Sequence, residues 1–179
     1  MSIRTKCLLL LTPFLLLALL FWRGLSLDPH DLPSVQVGQT VPYFDVPELM
    51  HPEQTLDTTR LNSQWSILNI WASWCESCSQ EQPVLMALKA QGVTIFGINY
   101  KDDPEAAKRW LHEWGNPYQA VGQDRLGQVG LDLGVYGTPV TFLIDAHGVI
   151  RYRHTGILSH EVWRQAFVPI LATLNQGQG

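Results

Sequence analysis

Residues 69–85 read "NIWASWCESCSQEQPVL" and hold Cys75 and Cys78, two of the three cysteines in a chain of 179 residues. A C-x-x-C pair can ligate a metal, anchor a haem, close a structural disulfide or exchange electrons. Haem attachment requires histidine directly after the second cysteine, and Ser79 stands there. Zinc takes about four ligands; the pair supplies two, and the third cysteine, Cys7, lies in an apolar segment. A disulfide across two intervening residues closes a very small loop and restricts the unfolded chain little, which argues against a purely structural bridge. Dithiol–disulfide exchange remains, and it needs neither metal nor cofactor.

The physical needs of that chemistry are legible locally. "WSILNIWA" (65–72) has the short, Ile- and Trp-rich character of a buried strand. A helix is expected from about Cys75 to Gln91, with Gly92 as its stop. Cys75 then sits at the helix start, where unpaired N–H groups and the positive end of the dipole favour thiolate, the nucleophilic form. Cys78, one turn later, faces the same side and can attack a mixed disulfide. Trp74 is expected at the rim of the site, or alternatively in the core.

The remaining elements must hold this turn in place. "VTIFGINY" (93–100) is a second buried strand, and "PEAAKRWLHEWG" (104–115) a helix with Pro104 in its first turn and Ala107, Trp110, Leu111 and Trp114 on one face. "YQAV" (118–121) is a short strand and "RLGQVGLDLG" (125–134) a weak helix. "VTFLID" (140–145) and "VIRYRH" (149–154) flank the turn "AHG" as a hairpin, and a last helix starts at Ser159 as N-cap. Strands alternating with helices, plus an antiparallel hairpin, predict an α/β domain with a mixed sheet.

Composition narrows the partners. Net charge is −4 with 12 Lys and Arg and no long basic run, so a nucleic-acid partner is not expected. Between Lys6 and Arg23 lie sixteen uncharged residues, "CLLLLTPFLLLALLFW". As a helix they would span roughly 24 Å, short of a hydrocarbon core of about 30 Å unless Lys6 and Arg23 snorkel. A cleaved signal peptide is the alternative, but "LLFWRGLS" offers no small-x-small site. The reading is a single transmembrane anchor within residues 1–23, a linker at 24–38 and a domain at 39–179. Arg4 and Lys6 before the helix, with Asp28 and Asp31 after it, put the N-terminus in the cytoplasm and the domain outside, where disulfide chemistry operates.

"WASWCESC", Pro83 eight residues after Cys75, and "YGTPVTFLID" together resemble the thioredoxin superfamily. A narrower resemblance covers most of the chain. The apolar N-terminus, "VGQTVPYFDVPEL", "LNIWASWC", "GINYKDDPEAAKRWLHEWGNPY", "GLDLGVYGTP" and "TFLIDAHGVIRYRHTG" look like the CcmG/DsbE family of membrane-tethered thiol–disulfide oxidoreductases. Asn69 fits that branch, because thioredoxins carry a buried aspartate at this position. The resemblance implies a thioredoxin-like fold, a mixed central sheet flanked by helices, with an N-terminal β-hairpin extension. It implies a cis Pro139 beside the cysteines, with backbone groups of Thr138 open to a substrate strand. It also makes Glu81, three residues after Cys78, a candidate for tuning the cysteines; an ordinary solvated helix residue is the competing reading.

The chain departs from the family pattern in two places. Glu76 and Ser77 fill the pair's interior where proline usually follows the first cysteine, and Val140 stands where glutamate commonly follows the cis proline. The function the resemblance implies is reduction of a disulfide on apocytochrome c, or on a cytochrome c maturation protein that handles it, before haem attachment. The expected partners are that substrate, the inner membrane and a transmembrane thiol reductase of the DsbD/CcdA type as electron donor; the protein is expected to be monomeric. A general periplasmic disulfide reductase and a non-catalytic apocytochrome-binding module are the alternatives.

Overall fold

The computed structural model describes residues 3–25, 36–62 and 64–176. The chain divides into two units, residues 1–33 and 34–179. The first contains helix α1, Ile3–Leu25. Its side chains are described for Thr12–Arg23, where Phe14, Leu20 and Trp22 are exposed. Among the described residues no helix is long and apolar enough to cross a membrane. The expected span is therefore not found there; it begins at Cys7, and the side chains of residues 3–11 lie outside the described set. The expected linker 24–38 likewise falls mostly outside it.

The second unit is an α/β domain. Strands β1 (Asp45–Pro47) and β2 (Thr55–Asp57) pair antiparallel in a small sheet of their own. The central sheet holds β3 (Ser66–Trp71), β4 (Ile95–Tyr100), β5 (Ala120–Asp124), β6 (Val140–Ile144) and β7 (Ile150–Thr155) in the order β5-β4-β3-β6-β7. The β3/β4 and β4/β5 pairs are parallel, and β3/β6 and β6/β7 antiparallel. Every residue of β3 and of β4 is buried, as expected for central strands covered on both faces. Helices are α2 (Glu76–Ala90), α3 (Pro104–Trp114), α4 (Gln128–Asp132), α5 (His160–Val162) and α6 (Val168–Gln176), with a π-helical turn, Trp163–Phe167, between the last two.

Strand alternation divides the core in two. Ile67 and Trp71 of β3 join Leu85 and Leu88 of α2 and Trp110 and Leu111 of α3 in one cluster. Leu68 and Ile70 point the other way, into a cluster with Phe96, Ile98, Leu56 and Val129. Because side chains alternate, Asn69 belongs to the face of Ile67 and Trp71, the face that α2 covers.

Element ends follow local chemistry. Asp103 caps α3 by accepting from Ala106 N at 2.9 Å, Pro104 opens it, and Gly115 ends it at φ 89°. Trp114 does not join the buried face; it is half exposed and stacks on Trp110, with ring centroids 6.2 Å apart. The expected strand at 118–121 runs instead over 120–124; Tyr118 precedes it, buried and stacked on Trp71 with ring centroids 5.6 Å apart. The weak helix condenses to five residues, Gln128–Asp132, between Gly127 at φ 77° and Gly134 at φ 62°.

Candidate active site

The chain leaves β3 at Trp71, turns through Ala72–Trp74, and reaches Cys75, the N-cap of α2. Cys75 Sγ accepts the backbone N–H of Cys78 at 3.1 Å. The Cys75 sulfur thus takes the place usually held by a Ser, Thr or Asp oxygen at a helix start, sharing the Cys78 N–H with Cys75 O, which accepts it at 3.2 Å. Cys75 and Cys78 are joined as a disulfide. Cys75 is 6% exposed and Cys78 1%, so the first is the more accessible, though more enclosed than a freely exposed nucleophile. Trp74 is 58% exposed at the rim, its Nε1 donating to Lys101 O at 3.1 Å. Glu76 is exposed, pointing its charge at solvent.

Thr138–Pro139 is a cis peptide bond. Pro139 is buried and lies one residue beyond the Ile70↔Val140 pair, so β6 brings it to the end of β3 from which the cysteine turn departs. Thr138 is half-buried, and Pro139 O accepts from Gly156 N at 3.0 Å. Val140 is buried in the core, so an acidic side chain there would need a partner.

Glu81 is 0% exposed. The buried stripe of α2, Cys78, Glu81, Gln82, Leu85 and Leu88, follows the i, i+3, i+4, i+7 pattern, and Glu81 falls in its middle. Its Oε1 accepts from Asn69 Nδ2 at 2.8 Å and its Oε2 from Leu158 N at 2.9 Å. Asn69 Nδ2 also donates to Thr141 Oγ1 at 3.1 Å, and Tyr118 OH donates to Asn69 Oδ1 at 2.8 Å. Burial pushes the Glu81 carboxyl up from 4.5 to about 7, against the lowering effect of the bonds from Leu158 and Asn69. Burial, and secondarily the Glu81 charge, also raise Tyr118 well above its ordinary value. The competing reading of Glu81 as a solvated helix residue is thereby excluded. A carboxyl that titrates near neutrality one helical turn from Cys78 can hold or release a proton beside the thiol pair.

The sequence pairs Cys75, Cys78, Trp74 and Pro139 with this site but misses Tyr118, Thr141 and Leu158. Thr141 and Asn69 are directly opposed in the β3/β6 register, which strand pairing alone could have found. Leu158 N comes from the loop after β7, and no local pattern announces it. Among the described residues no cluster of His, Cys, Asp and Glu could hold a metal ion.

The Redoxin family profile matches residues 36–166. Thiol:disulfide interchange protein DsbE of Pseudomonas aeruginosa is 45% identical over 171 residues, 96% of this chain and 95% of that protein. The protein of the same name from Escherichia coli K12 is 46% identical over 144 residues, 80% of this chain and 78% of that protein. A solved secreted thiol-disulfide isomerase of Corynebacterium glutamicum superposes with a TM-score of 0.64 at 20% identity, over 74% of this chain and 85% of that one, a likeness of fold.

Proposed function

The chain belongs to the DsbE family of thiol:disulfide interchange proteins, and from that premise we propose that it works as a reductant of protein disulfides in the periplasm. The observation that carries this is the Cys75 sulfur at the start of α2, accepting the Cys78 N–H at 3.1 Å. In the reduced protein the same donor faces a Cys75 thiolate. That thiolate attacks one sulfur of the target disulfide, forming a Cys75–target bond and releasing the other target sulfur as a thiolate. Cys78, deprotonated, then attacks Cys75 Sγ, expelling the second target sulfur and closing Cys75–Cys78. Two electrons pass to the target, which takes up two protons. Glu81 is a proton store for Cys78, and Trp74, Thr138 and Pro139 form the surface on which the target strand lies.

The target is the C-x-x-C-H segment of apocytochrome c, or a maturation protein that holds it, since haem attachment needs both cysteines reduced. The uncharged run at residues 7–22, within helix α1, supports a tether to the inner membrane with the N-terminus in the cytoplasm. Because the periplasm is oxidising, a transmembrane thiol reductase must restore the dithiol. The test mixes reduced protein with an oxidised C-x-x-C-H peptide and follows both thiol pairs by mass. One peptide reduced per Cys75–Cys78 disulfide formed is expected. Peptide that stays oxidised while a reference protein disulfide such as insulin is reduced would overturn the cytochrome assignment in favour of a general reductase.

A further inference from the structure

We propose that Asp102 is a positioning residue for the nucleophile: through Ser73 it fixes the cysteine turn so that Cys75 Sγ meets the start of α2. This rests on the thiol-exchange reading above. Strands β3 and β4 are parallel neighbours, with Trp71 opposite Asn99, so the segments leaving them emerge side by side at one end of the sheet. The first is the cysteine turn, residues 72–75. The second, residues 101–103, belongs to "NYKDD".

The two segments are tied by side chains. Asp102 Oδ2 accepts from Ser73 N at 2.6 Å and from Asn99 Nδ2 at 2.8 Å. Its Oδ1 accepts from Ser73 Oγ at 2.8 Å and from Asp103 N at 2.8 Å. Four donors converge on one carboxylate, and both oxygens are used. An asparagine there would turn its NH2 toward at least one backbone N–H, so the site requires an acceptor-only group. Beside it, Lys101 adopts φ 47°, the only positive value at a non-glycine among the described residues, and its carbonyl accepts from Trp74 Nε1. A lysine held in the left-handed region is disfavoured locally, and such conformers persist where surrounding contacts impose them. Both residues that precede Cys75 are thus gripped by the segment after β4, in addition to the Cys75 N to Ala72 O bond at 3.2 Å.

Released from this grip, Cys75 Sγ no longer stays aligned on the Cys78 N–H, and thiolate loses that support. The sign separates positioning from charge. Removing the Asp102 carboxylate acts by Coulomb's law to favour the thiolate, whereas loss of positioning disfavours it. Ser73→Ala removes one arm of the clamp without changing charge.

The experiment measures three quantities on the full-length protein, on Asp102→Asn and on Ser73→Ala. These are the pH–rate profile for alkylation of reduced Cys75, the equilibrium with glutathione, and the unfolding midpoint. Asp145→Asn, which loosens a clamp in the β6–β7 turn, serves as a stability control. For Asp102→Asn the alkylation midpoint is expected to move about one pH unit upward. The exchange equilibrium should shift about tenfold toward the disulfide, equal to about 30 mV for this two-electron couple. Ser73→Ala should move both the same way by about threefold, and Asp145→Asn should lower the unfolding midpoint while moving neither. A downward or absent shift in both site variants, with wild-type exchange intact, overturns the positioning role. If Asp102→Asn does not fold, Ser73→Ala decides alone. Wild-type protein that exchanges no thiols would instead overturn the reading on which this rests.

Discussion

Replacing Glu81 by glutamine should remove a specific slope from the pH dependence of stability. In the unfolded chain Glu81 titrates near 4.5; in the fold, burial raises it to about 7. A raised carboxyl binds its proton more tightly in the folded state. Its favourable contribution is therefore complete below pH 4.5 and is lost as pH rises through 7. The difference between those values, at about 1.36 kcal/mol per pKa unit, corresponds to roughly 3 kcal/mol. Glutamine has the shape of the protonated acid; its Oε1 accepts from Leu158 N while its Nε2 donates to Asn69 Oδ1 once the Asn69 amide turns over. Urea unfolding of the oxidised wild type and Glu81→Gln at pH 4 to 8 isolates the effect, because all other titrating groups cancel in the difference. The variant should match the wild type at pH 4 and exceed it by roughly 3 kcal/mol at pH 8, about 1.5 M in midpoint at a slope of about 2 kcal/mol per M. Parallel curves for the two proteins would refute the account of Glu81 as a buried acid of raised affinity.

Tyr118→Phe should cost about 1–3 kcal/mol by leaving Asn69 Oδ1 buried without its donor, read from the same urea titrations at a fixed pH of 5. Asp103→Ala removes the N-cap of α3 and should cost about 1 kcal/mol without altering the alkylation profile of Cys75. Reduced protein treated briefly with iodoacetamide at pH 7 should carry the label on Cys75 before Cys78, as peptide mapping would reveal. Cys78→Ser should accumulate a mixed disulfide through Cys75, visible as an added mass that dithiothreitol removes.

The site was legible in the sequence where a short-range rule applied. C-x-x-C after an apolar run fixed Cys75 at a helix start, and Ser159 and Pro104 marked two further helix starts, because caps and first turns depend on nearest neighbours. Glu81 was open between a tuning group and a solvated one, yet the spacing of Cys78, Leu85 and Leu88 around it already described a buried stripe. Its partners were not legible, because Asn69, Tyr118 and Leu158 come from three other segments and meet it only once the sheet is assembled. The same holds for Asp102: "NYKDD" entered the sequence reading only as part of the family resemblance, and the contact of Asp102 with Ser73 arises from the parallel pairing of β3 with β4. The π-helical turn at Trp163–Phe167 departs from the uniform helix expected there, and its stacked Trp163 and Phe167 rings, 5.1 Å between centroids, lie on the packed face.

Electron flow from Cys75 and Cys78 to a substrate is the claim on which the rest depends. Living cells expressing the full-length protein are quenched with acid, and free thiols are then tagged with a bulky maleimide to resolve the two states by mass. Cys75 and Cys78 are expected to be held mainly as the dithiol, shifting to the disulfide when the proposed membrane thiol reductase is removed. A pair found mainly as the disulfide in wild-type cells, and unchanged by that removal, would contradict the claim.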